Sequence, residues 1–277
     1  MQNSDSAIRI STCQLLTTPP ADGAWNMAVD EALLGFVAQT EQPVLRFYQW
    51  QSPTLSLGYF QKSTDRVQHP LSQTAPFVRR LSGGGAILHD RELTYSLTLP
   101  TSHFLSQDTQ ALYDTVHQAI IETLNRFLVA SQAAYQAVSC RQTDGILADQ
   151  QPFLCFQRRF VGDILLLDKT VDPADRRSHR MASKIVGSAQ RRRQGTILQH
   201  GSILLEQSPM SPELNGISEI ADLKISTTDL LAALLDSLTI HFSCRFENNE
   251  SLVEAVAPQI QNLKQKKYLD PGWNERR

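Results

Sequence analysis

A thiolate is a strong nucleophile, and an ammonium beside it favours it over the thiol. A cysteine and a lysine brought together can therefore carry covalent catalysis. Cys155, in Pro152-Phe153-Leu154-Cys155-Phe156, and Lys184, opening Lys184-Ile185-Val186-Gly187-Ser188-Ala189, form such a candidate pair, 29 positions apart. By residue type alone, a cysteine in this apolar setting reads as a buried, inert thiol. A lysine at a strand start reads as a surface cation. Its functional alternative is to favour the thiolate and to steady the oxyanion of a tetrahedral intermediate. The second chemical feature is Arg79-Arg80-Leu81-Ser82-Gly83-Gly84-Gly85-Ala86-Ile87-Leu88-His89-Asp90. Three glycines either make a flexible turn or let a ligand approach bare N–H groups that can hold carbonyl or phosphate oxygens. Arg79 and Arg80 suit an anion or an exposed edge. His89 and Asp90 are adjacent, and neighbours on a strand face opposite ways, which favours structural roles over a catalytic pair. Arg191-Arg192-Arg193 reads as a solvated turn, with docking of an acidic protein as the functional alternative.

The elements that must position these groups follow from patterning. Val44–Tyr48, Thr54–Leu57, Phe77–Arg80 and the alternating Thr94-Tyr95-Ser96-Leu97-Thr98-Leu99 read as strands, as do 144–147, 160–167, 184–189 and 196–205. Leu112, Val116, Ile120, Leu124 and Leu128 recur every four residues and predict a long helix, with Ser106 as its cap. Asn26 can cap an earlier helix that starts near Met27. Ser226 or Thr227 opens a leucine-rich one, and Pro258 divides or kinks a last one. Strands and helices mix irregularly, without βαβ alternation. That predicts an α+β fold with a mixed central β-sheet flanked by helices. Residues 1–25 read as a surface segment, 26–245 as the catalytic domain and 246–277 as a helical extension packed on it. The polar stretch 169–183 reads as a surface insertion.

Composition narrows the class. A formal net charge of -2 gives no electrostatic case for nucleic acid or an anionic membrane. No apolar run approaches the ~18 residues of a membrane span. The start lacks a basic and apolar leader, so the expected location is cytoplasmic. The four cysteines, Cys13, Cys140, Cys155 and Cys244, form no CxxC and read as free thiols, with no metal site expected.

The glycine stretch with its Arg-Arg-x-Ser-Gly-Gly-Gly-Ala-x-x-His-Asp pattern, followed by Thr94-Tyr95-Ser96-Leu97, resembles the lipoate–protein ligase and octanoyltransferase family. Further matches lie at Trp25–Leu34, Leu45–Gln61, Lys184–Leu205 and Lys267–Trp273. The resemblance implies the biotin/lipoate-ligase fold, related to class II synthetases. It implies substrate contacts from Arg80, Ser82, Gly83, Gly84, Gly85, His89, Gly187, Ser188, Gln199, His200 and Gly201. It places Gly58-x-x-Gln61 at the acyl site and Lys184 against the acyl carbonyl. In one octanoyltransferase branch a Cys-Phe in the place of Cys155-Phe156 is the acyl-carrying nucleophile. Another branch carries its cysteine where this chain has Gln199-His200-Gly201. The activity implied is transfer of octanoate from an acyl carrier protein thioester, through Cys155, to a lysine of a lipoyl domain or glycine cleavage H protein, with no cofactor. Two alternatives stand beside it. One is an ATP- and magnesium-dependent lipoate–protein ligase, whose Asn-Asp is here Gly162-Asp163. The other is a non-catalytic acyl-binding module.

Overall fold

The computed structural model describes residues 12–147, 150–173 and 182–276. In chain order the strands are β1 (Thr12–Thr17), β2 (Val44–Tyr48), β3 (Thr54–Leu57), β4 (Phe77–Arg79), β5 (Ile87–His89), β6 (Glu92–Pro100), β7 (Tyr135–Ser139), β8 (Ile164–Asp168), β9 (Ser183–Arg193), β10 (Thr196–Leu204) and β11 (Arg245–Asn248). Eight form one mixed sheet in the order β11-β1-β2-β6-β10-β9-β8-β7, parallel at the β11-β1-β2 end and antiparallel elsewhere. A smaller sheet, β4-β3-β5, carries the glycine stretch between β4 and β5. The fold is α+β, as the patterning predicts.

The alternation in β6 sets the layers. Successive side chains face opposite ways. Tyr95, Leu97 and Leu99 enter a core with Leu112, Val116, Ile120, Leu124 and Leu128 of α2 (Thr109–Ala130). Each of these buried aliphatic side chains contributes roughly 1.5–3 kcal/mol. α4 (Thr227–Phe242), after the short α3 (Ile217–Ala221), joins the same core through Leu230, Leu234 and Leu238. The other face of β6 carries Thr94, Ser96 and Thr98, yet all nine residues of the strand are buried. Its cover is α1 (Gly23–Thr40), whose Met27, Val29, Leu33 and Val37 form a second core.

Polar groups sealed between α1 and the sheet must satisfy one another. Arg46 of β2 is fully buried, with Nη1 2.7 Å from Asp30 and Nη2 donating to Asn26 Oδ1 at 2.7 Å. Asp30 also accepts from Tyr48 at 3.0 Å and Ser96 at 2.9 Å. Burial works to raise the Asp30 carboxyl, but bonds and charge from His200 and Arg46 outweigh it and hold it below its ordinary value. On the outer side of α1 lie α5 (Ser251–Ala255), α6 (Ala257–Leu263), a π turn at Lys264–Tyr268 and α7 (Pro271–Asn274). Leu252, Val256, Ile260 and Tyr268 pack into the α1 core.

The structure departs from the sequence reading in local details. Residues 12–17 are a strand inside the sheet, not surface wrapping, because parallel pairing on both sides takes up their backbone groups. The cap of α1 is Asp22, which accepts from Trp25 N at 2.7 Å; Asn26 serves Arg46 instead. Asp108, not Ser106, caps α2. Residues 144–147 form no strand, and Arg191–Arg193 end β9 rather than turning; the turn is Gln194-Gly195. Residues 174–181, most of the expected insertion, lie outside the described residues. No described helix is long and apolar enough to cross a membrane.

Candidate active site

The glycine stretch is fixed by close packing and by one arginine. Gly58, just after β3, runs so near the loop that a Cβ there would lie 2.0 Å from Gly84 O. Gly84 has φ +89°, which suits a residue without a side chain. Arg80 is buried, and its donors all go to protein. Nε bonds Ser82 Oγ at 3.2 Å, Nη1 bonds Ser56 O at 3.0 Å and Ser56 Oγ at 3.2 Å, and Nη2 bonds Gly83 O at 2.6 Å and Gly85 O at 2.7 Å. Burial lowers its pKa to about 10, which leaves it charged at neutral pH. Arg79 is buried rather than an exposed edge. It bonds the carbonyls of Gly58, Gln61 and Asn274. Gln61 caps Gly58 N at 2.9 Å.

Cys155 opens a one-turn 3-10 segment tied to this loop, its N donating to Ala86 O at 2.7 Å. Phe153 and Leu154 are drawn into a small core with Leu55, Leu57 and Leu88, which leaves the thiol partly exposed at the core's edge. Cys13, Cys140 and Cys244 are free and buried; burial pushes the Cys13 thiol well up and that of Cys244 up to about 11. Lys184 Nζ stands 3.9 Å from Cys155 Sγ, 3.3 Å from Cys155 O and 2.8 Å from Asp163 Oδ2. Burial acts to lower the Lys184 pKa, but Cys155 and Asp163 more than offset it, so the group is held above its ordinary value as a cation. Asp163 is itself raised by burial, against the pull of Lys184. It is anchored by Phe160 N at 2.8 Å and Tyr113 OH at 3.3 Å. Gly187 leaves room for this lysine, since a Cβ there would meet Nζ at 2.9 Å.

These groups line a cavity of about 200 Å³. Met27, Tyr48, Trp50, Ile87 and Phe156 supply much of its apolar wall. Also in the lining, Trp50 stacks on His89 with centroids 3.8 Å apart. His89 is pinned by Ser56 at 2.8 Å and by Glu92. Arg80, Gly83, Gly84, His89, Gly187, Ser188, His200 and Gly201 line the cavity together with Cys155 and Lys184. Ser82, Gly85 and Gln199 do not. Ser82 Oγ meets His200 Nε2 at 2.5 Å behind the wall, Gly85 O is taken by Arg80, and Gln199 points to the α2 face, where it bonds Tyr95 OH at 3.1 Å.

Residue types did not announce the support behind Lys184. His117 of α2 donates from Nδ1 to Gly162 O at 2.7 Å, so its Nε2 must accept from Ser188 Oγ at 2.7 Å. Ser188 in turn accepts from Tyr95 OH at 2.6 Å. The Ser188 hydroxyl is thus committed to protein although it lines the cavity. Burial holds the His117 pKa down at about 4, which keeps the ring neutral. The available signal was a histidine at position 117 and a tyrosine at 113 in a helix otherwise read as plain core. Among the described residues no group of His, Cys, Asp and Glu side chains could hold a metal ion. A thiol, a buried cation and backbone N–H groups at an apolar cavity are the parts an acyl transfer needs: nucleophile, oxyanion support and a chain-binding slot.

A sequence model of the lipoyl protein ligase A/B catalytic domain matches residues 22–228. The octanoyltransferase LipM of Halalkalibacterium halodurans is 28% identical, over 97% of this chain and 100% of that protein. The octanoyltransferase LipM of Staphylococcus aureus is 35% identical, over 70% of this chain and 66% of its own. Among solved structures, the bi-partite lipoate protein ligase of Thermoplasma acidophilum superposes with a TM-score of 0.69 at 19% identity, over 96% of this chain and 97% of that one. This last likeness is one of fold.

Proposed function

The chain belongs to the lipoyl protein ligase A/B catalytic-domain family, and from that premise we propose that it is a protein octanoyltransferase working through a thioester on Cys155. The observation that carries the mechanism is the 3.9 Å approach of Lys184 Nζ to a partly exposed Cys155 Sγ at the mouth of an apolar cavity. The octanoyl chain lies in the cavity. The Cys155 thiolate attacks the carbonyl of an octanoyl thioester on acyl carrier protein, the carrier C–S bond breaks, and the carrier thiolate leaves and takes a proton from solvent. Lys184 and glycine-loop N–H groups stabilise the oxyanion between these events. Asp163 keeps Lys184 aimed at the sulfur. A neutral lysine amine of a lipoyl domain, or of glycine cleavage H protein, then attacks the enzyme thioester, the C–S bond breaks to return the thiolate, and the amine nitrogen gives up one proton to solvent as the amide forms. Exchange of one thioester for another is near thermoneutral, so neither ATP nor metal enters the cycle. The catalytic domain, expected at 26–245, also takes in β1 and the start of α1 before it and the rest of β11 after it, the helices from Ser251 onward brace it, and the enzyme works in the cytoplasm.

The test is purified protein mixed with octanoyl carrier, without acceptor and without ATP. The expected result is a mass increase of one octanoyl group on the peptide containing Cys155. Hydroxylamine should release it, and Cys155→Ala should never acquire it. Transfer that requires ATP, releases pyrophosphate and tolerates Cys155→Ala would replace this reading with that of a ligase.

A further inference from the structure

Outside the cavity mouth, two arginines crowd one aromatic ring. The Arg276 guanidinium lies 3.9 Å from the Tyr59 ring centroid and 4.0 Å from that of Trp273; the Arg191 guanidinium lies 4.9 Å from the Tyr59 centroid. Three other cations of the β9 and C-terminal segments are paired. Arg193 and Lys267 share Glu31, and Lys264 pairs with Asp22. Among the described residues Arg191 and Arg276 have no carboxylate within ion-pair distance, and Nε of each has no hydrogen-bond partner. Glu275, next in the chain to Arg276, acts on Arg66. Two like charges held on one ring repel, and among the described residues no carboxylate bridges them.

The pair is placed at the entrance. Gly187 and Ala189 of β9 line the cavity, and Arg191 is the next residue on that face. Tyr59 N is bonded to Ser82 O of the glycine loop, and its neighbour Phe60 is 64% exposed beside Gly83. From Gly187, which packs on Lys184, to Arg191 is four strand residues, about 13 Å.

We propose that Arg191 and Arg276, with Phe60 between them and the cavity, form the docking site for carboxylates on the carrier protein that delivers the acyl thioester. This rests on the octanoyltransferase reading above. The charge is complementary, and it is local, in a chain whose formal net charge of -2 offers no general attraction to an acidic partner. The separation favours the donor over the acceptor. A body docked at Arg191, about 13 Å along β9 from the glycine that packs on Lys184, needs a long flexible arm to present its thioester, and a carrier has one. An acceptor reaches in only with a lysine side chain.

The experiment compares the parent with Arg191→Glu/Arg276→Glu, and with the milder Arg191→Gln, in three rapid-mixing assays. These are acylation of Cys155 by octanoyl carrier protein, acylation by a small neutral octanoyl thioester, and transfer from preformed acyl-enzyme to a lipoyl domain. The charge-reversed protein should acylate from the carrier at least tenfold more slowly at low salt, with the parent converging on it as salt rises. Arg191→Gln should show a smaller loss in the same assay. Acylation by the small thioester and transfer to the lipoyl domain should stay within twofold. Equal loss with the small thioester would make the arginines structural, loss confined to the lipoyl-domain step would assign them to the acceptor, and no loss with the carrier would remove the site; each overturns the proposal. Failure of the parent to acylate with any donor would instead refute the function on which it rests.

Discussion

Gly58→Ala isolates the position of the glycine loop from its chemistry. Gly58 does not have a left-handed φ, so its backbone accepts alanine, and the whole perturbation is the new methyl. That methyl would lie 2.0 Å from Gly84 O, about 1.4 Å short of ordinary contact. The carbonyl must retreat by most of that distance. It cannot retreat alone, because Arg80 grips the carbonyls on either side, Gly83 and Gly85. The loop therefore moves with its N–H groups, against a cysteine whose own N is bonded to Ala86 O. Misplacement on the order of 1 Å costs an active site about 10²-fold in rate, and overpacking of this kind destabilises by about 1–3 kcal/mol. The assay is the rate of Cys155 acylation by intact mass, beside a thermal melt. Gly83→Ala is the control: a Cβ there would touch only Phe60, at 3.8 Å, and the parent rate should survive. A folded Gly58→Ala protein that acylates within a few-fold of the parent would refute the idea that loop position governs the reaction.

Lys184→Ala should slow acylation of Cys155 by on the order of 10²–10³-fold, since it removes the cation nearest the sulfur; a rate within a few-fold, in a protein that melts normally, would shift that duty to Arg80. Arg46→Met should lower stability to urea by about 3–5 kcal/mol, because it leaves Asp30 charged and buried without its ion-pair partner; a midpoint near that of the parent would contradict the buried pair. The His117 pKa drops from 6.5 to about 4 on folding. The unfolded chain therefore binds the extra proton between those values, and stability falls as pH falls through them, by about 3 kcal/mol. Urea midpoints of the parent and His117→Gln should converge as pH drops from 7 to 4.5, and parallel profiles would exclude this histidine as the source.

Legibility followed the strength of the local signal. The four-residue repeat of α2 and the alternation in β6 were plain because one side of each meets an apolar core. The strands at 44–48 and 54–57 were legible for the same reason. β1 was not, because a short polar-mixed strand owes its place to two neighbours remote in sequence, one of them β11. The pairing of Cys155 with Lys184 came from resemblance and residue type, and the structure brings them together. What the sequence hid was who answers each buried charge. Asp30 belongs to Arg46, Asp163 to Lys184, and Arg80 to loop carbonyls. Gln199 was misplaced for a simpler reason. Its side chain leaves β10 on the α2 side, where it donates to Tyr95 OH, opposite to that of His200.

The grip of α7 on β4 has a consequence for biosynthesis. Arg79 N donates to Asn274 Oδ1 at 2.8 Å, and Trp273 Nε1 donates to Arg79 O at 2.9 Å, across 195 and 194 residues of chain. A ribosome adding 5–20 residues per second needs about 10–40 s to make the intervening polypeptide. Throughout that interval the strand leading into the glycine loop has β3 beside it but not its contacts with α7. The two bonds that clasp β4 from the C-terminal side therefore close only after residue 274 has left the exit tunnel.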